Sequence, residues 1–177
     1  MKIISIAAVT AGGKTTVVNE IEKKIPKTTS LHFDDYSFDG EVEDFCKWTM
    51  EGTDYYNVWD LSPLKSDIEK MKNCGEYEYL LLDYPFAYQN KLIKDDIDCA
   101  VFIDTPLDIA MARRVLRDMK NATANDIRLD MQNYLKGARV AYVQMIKDIL
   151  PNSDYVIDGA EDLEVIVDKV VSIIRNS

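Results

Sequence analysis

Apolar and polar positions alternate along the chain on two length scales. Short apolar runs are each followed by a longer stretch with helical spacing. Three runs are strong: KIISIAA at 2–8, YLLLD at 79–83 and AVFIDT at 100–105. TTSLHF at 28–33 and DYVID at 154–158 are weaker members of the same set. Near-continuous apolar character predicts strands covered on both faces, as in a parallel sheet. Between the runs, the spacing predicts helices over about 14–24, 62–74, 106–120, 124–149 and 161–175. Strand–helix alternation of this kind predicts an α/β fold of three layers, a doubly wound five-stranded parallel sheet with flanking helices. Residues 34–61 keep neither period and are acidic and aromatic-rich, which predicts a small lid or binding loop after the second strand.

Composition adds limits. A chain of 177 residues is one domain's worth, so a single domain over 1–177 is expected. The net charge of −10 argues against a nucleic-acid surface, since phosphate backbones are held by clustered Lys and Arg. Cys46, Cys74 and Cys99 have no metal-ligand spacing and read as reduced thiols. The opening apolar run is too short to cross a bilayer and is followed by a glycine–lysine loop rather than a cleavage site. A cytoplasmic protein with no membrane partner is therefore expected, and homo-oligomers stay open.

The first strand runs into AVTAGGKT at 8–15, the spacing G-x-x-x-x-G-K-[ST] of a phosphate-binding loop with Ala8 in the first glycine's place. In that reading the backbone of Ala11, Gly12 and Gly13 turns N–H groups onto phosphate oxygens. Lys14 reaches the β- and γ-phosphates, and the Thr15 hydroxyl ligates Mg²⁺. The helix opening at about Lys14 points its positive end at the same anion. Thr16 is either a further phosphate-contacting hydroxyl or simply part of the helix start. Ala8 is tolerable, at modest strain, if its φ stays negative.

HFDDYSF at 32–38 puts Asp34 twenty residues after Lys14, at the end of the second strand. Ligands of doubly wound sheets sit beyond the carboxyl ends of the strands, so Asp34 and Asp35 are expected near the γ-phosphate. A carboxylate there can take the proton of an acceptor hydroxyl as the phosphoryl group transfers. Either acid alone would also serve to cap a turn. His32 reads as a wall residue at the strand end. Asp83 ends the third predicted strand and is suited to hold a Mg²⁺-bound water. Asp104 reads as a capping or packing carboxylate. In MARRVLRDM at 111–119, Arg114 and Arg117 lie three apart and Arg113 and Arg117 four apart, so either pair shares a helical face. Arg114 would equally suit a surface pair with Asp118.

ISIAAVTAGGKTT, HFDDYSF, VFIDTPLDIAMARRVLRDM and NDIRLDMQNYLKGARVAYVQMIKDILPNSDYVIDG, in this order and spacing, resemble the uridine kinase and nicotinamide riboside kinase group of P-loop kinases. The resemblance implies a P-loop NTPase fold, ATP and Mg²⁺ as cofactors, and a hydroxylated small molecule as acceptor. It implies that Asp34 is the catalytic base, that Arg117 meets the ATP phosphates, and that Asp35, Tyr36 and Arg114 face the acceptor. It also implies an acceptor region at about 34–61 and an arginine helix and lid at about 106–128. The chain departs from the group in three places. Asp83-Tyr84 stands where the group carries Glu-Gly, KNATAND replaces an Arg-Gly-Arg lid, and YYNVWDLSPL occupies the region of an Asp-His-Pro element. Tyr55, Tyr56 and Trp59 in that last stretch either stack on a base or form lid core. The acidic loop disfavours a multiply anionic acceptor. The expected activity is phosphoryl transfer from ATP to a nucleoside-like alcohol. Another hydroxyl metabolite (a vitamin precursor or a sugar-like compound), or a regulatory ATPase, is the alternative.

Overall fold

The structure, a computed structural model, describes residues 1–39 and 55–176. Residues 40–54 of the expected 34–61 loop, with Cys46, lie outside the described residues.

Five strands form one sheet: β1 (Lys2–Ala7), β2 (Thr28–His32), β3 (Tyr79–Asp83), β4 (Cys99–Asp104) and β5 (Tyr155–Asp158). Their spatial order is β2-β3-β1-β4-β5, and every neighbouring pair is parallel. The helices are α1 (Lys14–Lys24), α2 (Ser62–Cys74), α3 (Leu107–Asp118), α4 (Ala124–Asn133), α5 (Arg139–Ile149) and α6 (Leu163–Asn176). All five expected strands and the expected helices appear within a few residues of their predicted bounds.

Burial explains why the central strands β1, β3 and β4 lack alternation. Ile3, Leu80, Leu82 and Phe102 point to one face, where Leu64 and Ile68 of α2 and Met145 and Ile149 of α5 cover them. Ile4, Ile6, Leu81 and Val101 point to the other, against Val17, Val18 and Ile21 of α1 and Val167 and Val170 of α6. Successive strand residues face opposite sides, so two covered faces require apolar residues at every position.

One helix departs from its predicted form. The stretch read as a single helix from 124 to 149 is α4 and α5 joined through a π-helical turn, Tyr134–Ala138. A π turn takes in an extra residue without breaking the helix, so the periodicity drifts instead of stopping. Asp104 does not cap α3, which opens on Pro106 without a side-chain cap. No described helix is long and apolar enough to cross a membrane.

The register sets the site. His32 of β2, Asp83 of β3 and Ile6 of β1 are level with one another, so the chain leaves these strands along one edge.

Candidate active site

The loop between β1 and α1 is shaped by three small residues. Gly12 donates its N–H to the Val9 carbonyl at 2.8 Å. A Cβ on Gly12 would stand 2.7 Å from the Ala8 Cβ and 2.8 Å from the Val9 oxygen, so only glycine fits this turn. Gly13 caps α1 with φ of 103°, in the left-handed region that glycine enters without cost. Ala8 is buried and is absent from the residues with positive φ. The expected accommodation of Ala8 holds, and the strain lies three residues on, where Ala11 takes φ of 57°. Thr105, just after β4, pins the loop from below: its hydroxyl donates to the Gly12 carbonyl at 2.8 Å.

Asp83 lies beneath the lysine. It is 4% exposed, and its Oδ1 stands 3.6 Å from Lys14 Nζ. Its Oδ2 accepts the Thr15 hydroxyl proton. That leaves the lone pairs of the Thr15 oxygen for another partner. Oδ1 is buried and receives no hydrogen bond. An orphaned carboxylate oxygen beside a hydroxyl with free lone pairs fits a hard divalent cation held partly through water. Among the described residues no group of three or more His, Cys, Asp or Glu forms a metal cage. Such a cation would therefore complete its shell with water and phosphate oxygens.

Residues 10–16 of the loop line a cleft of about 600 Å³, together with Asp34, Arg113 and Arg117. Its apolar wall includes Phe33, Trp59, Phe86 and Met145. Asp34 sits in a short 3₁₀ turn, Phe33–Asp35, that follows β2 directly, and it is exposed. Arg117 is bonded to Asp118 at 2.6 and 3.0 Å. That bond, and after it the charges of Asp118 and Asp34, push the already high guanidinium value further up and keep Arg117 cationic.

Three expected acceptor residues lie elsewhere. Asp35 follows Asp34 in a turn of three residues per revolution, which swings neighbouring side chains apart, and it does not line the cleft. The Tyr36 hydroxyl donates to Asp67 of α2 at 2.9 Å, and its ring stacks on Phe38. Burial and the bond to Asp67 hold its phenol protonated. Arg114 turns away from the cleft and pairs, half-buried, with Asp130 of α4. Its neighbour Arg113 lines the cleft instead, reaching toward the Gly159 carbonyl at 3.4 Å and standing 4.0 Å from where a Cβ on Gly13 would lie. The four-residue step to Arg117 was the signal for Arg113; the resemblance had assigned roles to the other pair. Tyr56 is core rather than a base platform, 3% exposed with its hydroxyl donating to Asp148 at 2.8 Å. Trp59 reaches the cleft while stacked on Phe86 at 4.9 Å.

A phosphate loop after β1, a parallel sheet of this strand order and covering helices on both faces define the P-loop NTPase fold. Three solved structures share it. A sugar kinase from Janibacter sp. HTCC2649 superposes with a TM-score of 0.59 at 14% identity, covering 99% of this chain and 95% of that one. Deoxyadenosine kinase from M. mycoides, with dCMP and dCDP bound, gives 0.55 at 13% identity over 99% and 100%. Shikimate kinase from Aquifex aeolicus gives 0.52 at 14% over 99% and 97%. In sequence, the chain is similar to uridine kinase of Staphylococcus aureus, 25% identical over 198 aligned positions that take in 98% of this chain and 95% of the relative. No family model matches.

Proposed function

We propose that the chain is a kinase that transfers the γ-phosphoryl group of Mg²⁺–ATP to a hydroxyl of a small, nucleoside-like acceptor. The observation that carries this reading is the shared cleft: the phosphate loop, Asp34 and Arg117 line one space. A carboxylate at that cleft is suited to take the proton of an acceptor hydroxyl, the role a kinase requires.

Each residue then has a task. Amides of residues 11–13 and the start of α1 hold the phosphates, and Lys14 draws negative charge off the β–γ bridge. Thr15 and Asp83 hold the divalent cation, whose charge, when bound, neutralises phosphate oxygens. Asp34 accepts the acceptor's proton, a contribution of about 10²–10⁴ in rate. Arg117 balances charge that builds on the transferring group. Arg113, placed between the loop and Gly159, holds the nucleotide from the β5 side. The aromatic wall of Phe33, Trp59 and Phe86 offers a flat surface for a ring, and similarity to uridine kinases favours a nucleoside.

An ADP-release assay across nucleosides, sugars and other small alcohols tests the reading. ATP consumption that rises strongly with one acceptor is expected. Slow hydrolysis indifferent to every acceptor would replace the kinase with a regulatory ATPase.

A further inference from the structure

Asp83 has a second donor that phosphate-site chemistry does not require. His32 of β2 pairs in register with Asp83 of β3, and register partners on neighbouring strands project to the same face. His32 Nδ1 lies 3.0 Å from Asp83 Oδ2. Its other nitrogen, Nε2, lies 3.0 Å from the hydroxyl of Ser30, two residues back on the same strand face. A carboxylate only accepts, so Nδ1 carries a proton that points at Asp83, while Nε2 shares a hydrogen bond with the Ser30 hydroxyl, a group that both donates and accepts. Asp83 thus fixes Nδ1 as the donor, and Ser30 anchors the far side of the ring.

Two donors, Thr15 Oγ1 and His32 Nδ1, converge on one oxygen of Asp83. The χ2 torsion of an aspartate is broad and nearly two-fold, so with Thr15 alone either oxygen would serve as acceptor. A second donor held by strand register removes that freedom. Oδ2 is committed, and Oδ1 is left buried, without a hydrogen bond, on the side of Lys14.

We propose that His32 is a positioning residue: anchored by Ser30, it holds Asp83 so that Oδ1 faces the hydrated divalent cation of a bound nucleotide. This rests on the phosphate-site reading above. It separates His32 from a mere wall residue, because its removal must change the dependence on Mg²⁺ and not the grip on the nucleotide itself.

The test is calorimetric titration of the full chain with ADP, in EDTA and over a series of MgCl₂ concentrations. His32→Leu removes both hydrogen bonds, whereas His32→Asn keeps a donor near the Nδ1 position. Loss of an outer-shell partner costs about 10–100-fold in metal affinity, so the Mg²⁺ midpoint for tight ADP binding should rise by that factor in His32→Leu. Affinity for Mg²⁺-free ADP should be unchanged, and His32→Asn should recover most of the midpoint. An unmoved midpoint, or a parallel loss of Mg²⁺-free affinity, overturns the proposal. Should His32→Leu fail to fold, Ser30→Ala decides: it unties Nε2 and should raise the midpoint by a smaller factor, and no rise overturns the idea. Wild-type chain that binds no ADP at any Mg²⁺ concentration would overturn the phosphate site first and this inference with it.

Discussion

Ala8 and Gly12 share one small space, and each limits the other. The methyl of Ala8 is buried, and the missing Cβ of Gly12 is what lets the loop turn beside it. Restoring the motif with Ala8→Gly therefore gains nothing for the ligand. It should leave ADP affinity unchanged in calorimetry and lower stability by about 1 kcal/mol, through one lost methyl and a freer backbone. Gly12→Ala meets the Ala8 methyl and the Val9 carbonyl at once, so the loop must open, and ADP binding should be lost while the fold survives. Asp34 makes the opposite prediction. It is exposed and stands at the cleft rather than in the loop. Asp34→Asn should bind ADP normally and slow transfer by about 10²–10⁴, read as kcat once the acceptor is known. An unchanged kcat would place the base elsewhere.

At the scale of the helix, α3 divides its arginines by face. Arg113 and Arg117, four residues apart, line the cleft, and Arg114 points away from it to Asp130. Arg113→Ala and Arg117→Ala should weaken nucleotide binding or transfer with little change in melting temperature. Arg114→Ala should do the reverse, costing about 1–3 kcal/mol through a half-buried ion pair and leaving ADP affinity alone. A second element is tied down by charge. Asp96, in the turn before β4, accepts from Lys65 and Lys72 of α2 at 2.5 and 2.7 Å. Burial pushes its carboxyl up, but the two lysines outweigh that and hold it below the ordinary value. A depressed folded-state value means stability that is complete above the ordinary carboxyl range and is lost as the pH falls through the depressed one. Asp96→Asn should therefore cost about 1.5–3 kcal/mol at neutral pH. In urea titrations the gap to wild type should close as the solution becomes acid.

Across the whole molecule, what the sequence disclosed depended on how far apart the cooperating residues lie. Strands, helices and the phosphate loop are local patterns, and a run such as YLLLD can be read as a two-faced strand without its neighbours. The place of Asp34 at the cleft was legible for the same reason, since the residue follows directly on a strand end. The facing of Tyr36 and Arg114 was not, because their partners, Asp67 and Asp130, come from other helices. The contact of His32 with Asp83 crosses 51 residues and exists only because β2 and β3 pair in one register. The cleft has the same non-local origin. Its walls come from the ends of β1, β2 and β3, from α3, and from the start of α6, so a nucleotide bound there would tie the two helices to strand ends that the sheet already joins. Binding to the folded state alone stabilises by about 2.7 kcal/mol at a hundred times Kd. For a chain of 177 residues that corresponds to a rise in melting temperature of about 5–10 °C with saturating Mg²⁺–ADP. Lys14→Ala should abolish the rise, and Asp34→Asn should keep it. A rise that survives Lys14→Ala would show the nucleotide holding the fold together somewhere other than the phosphate loop.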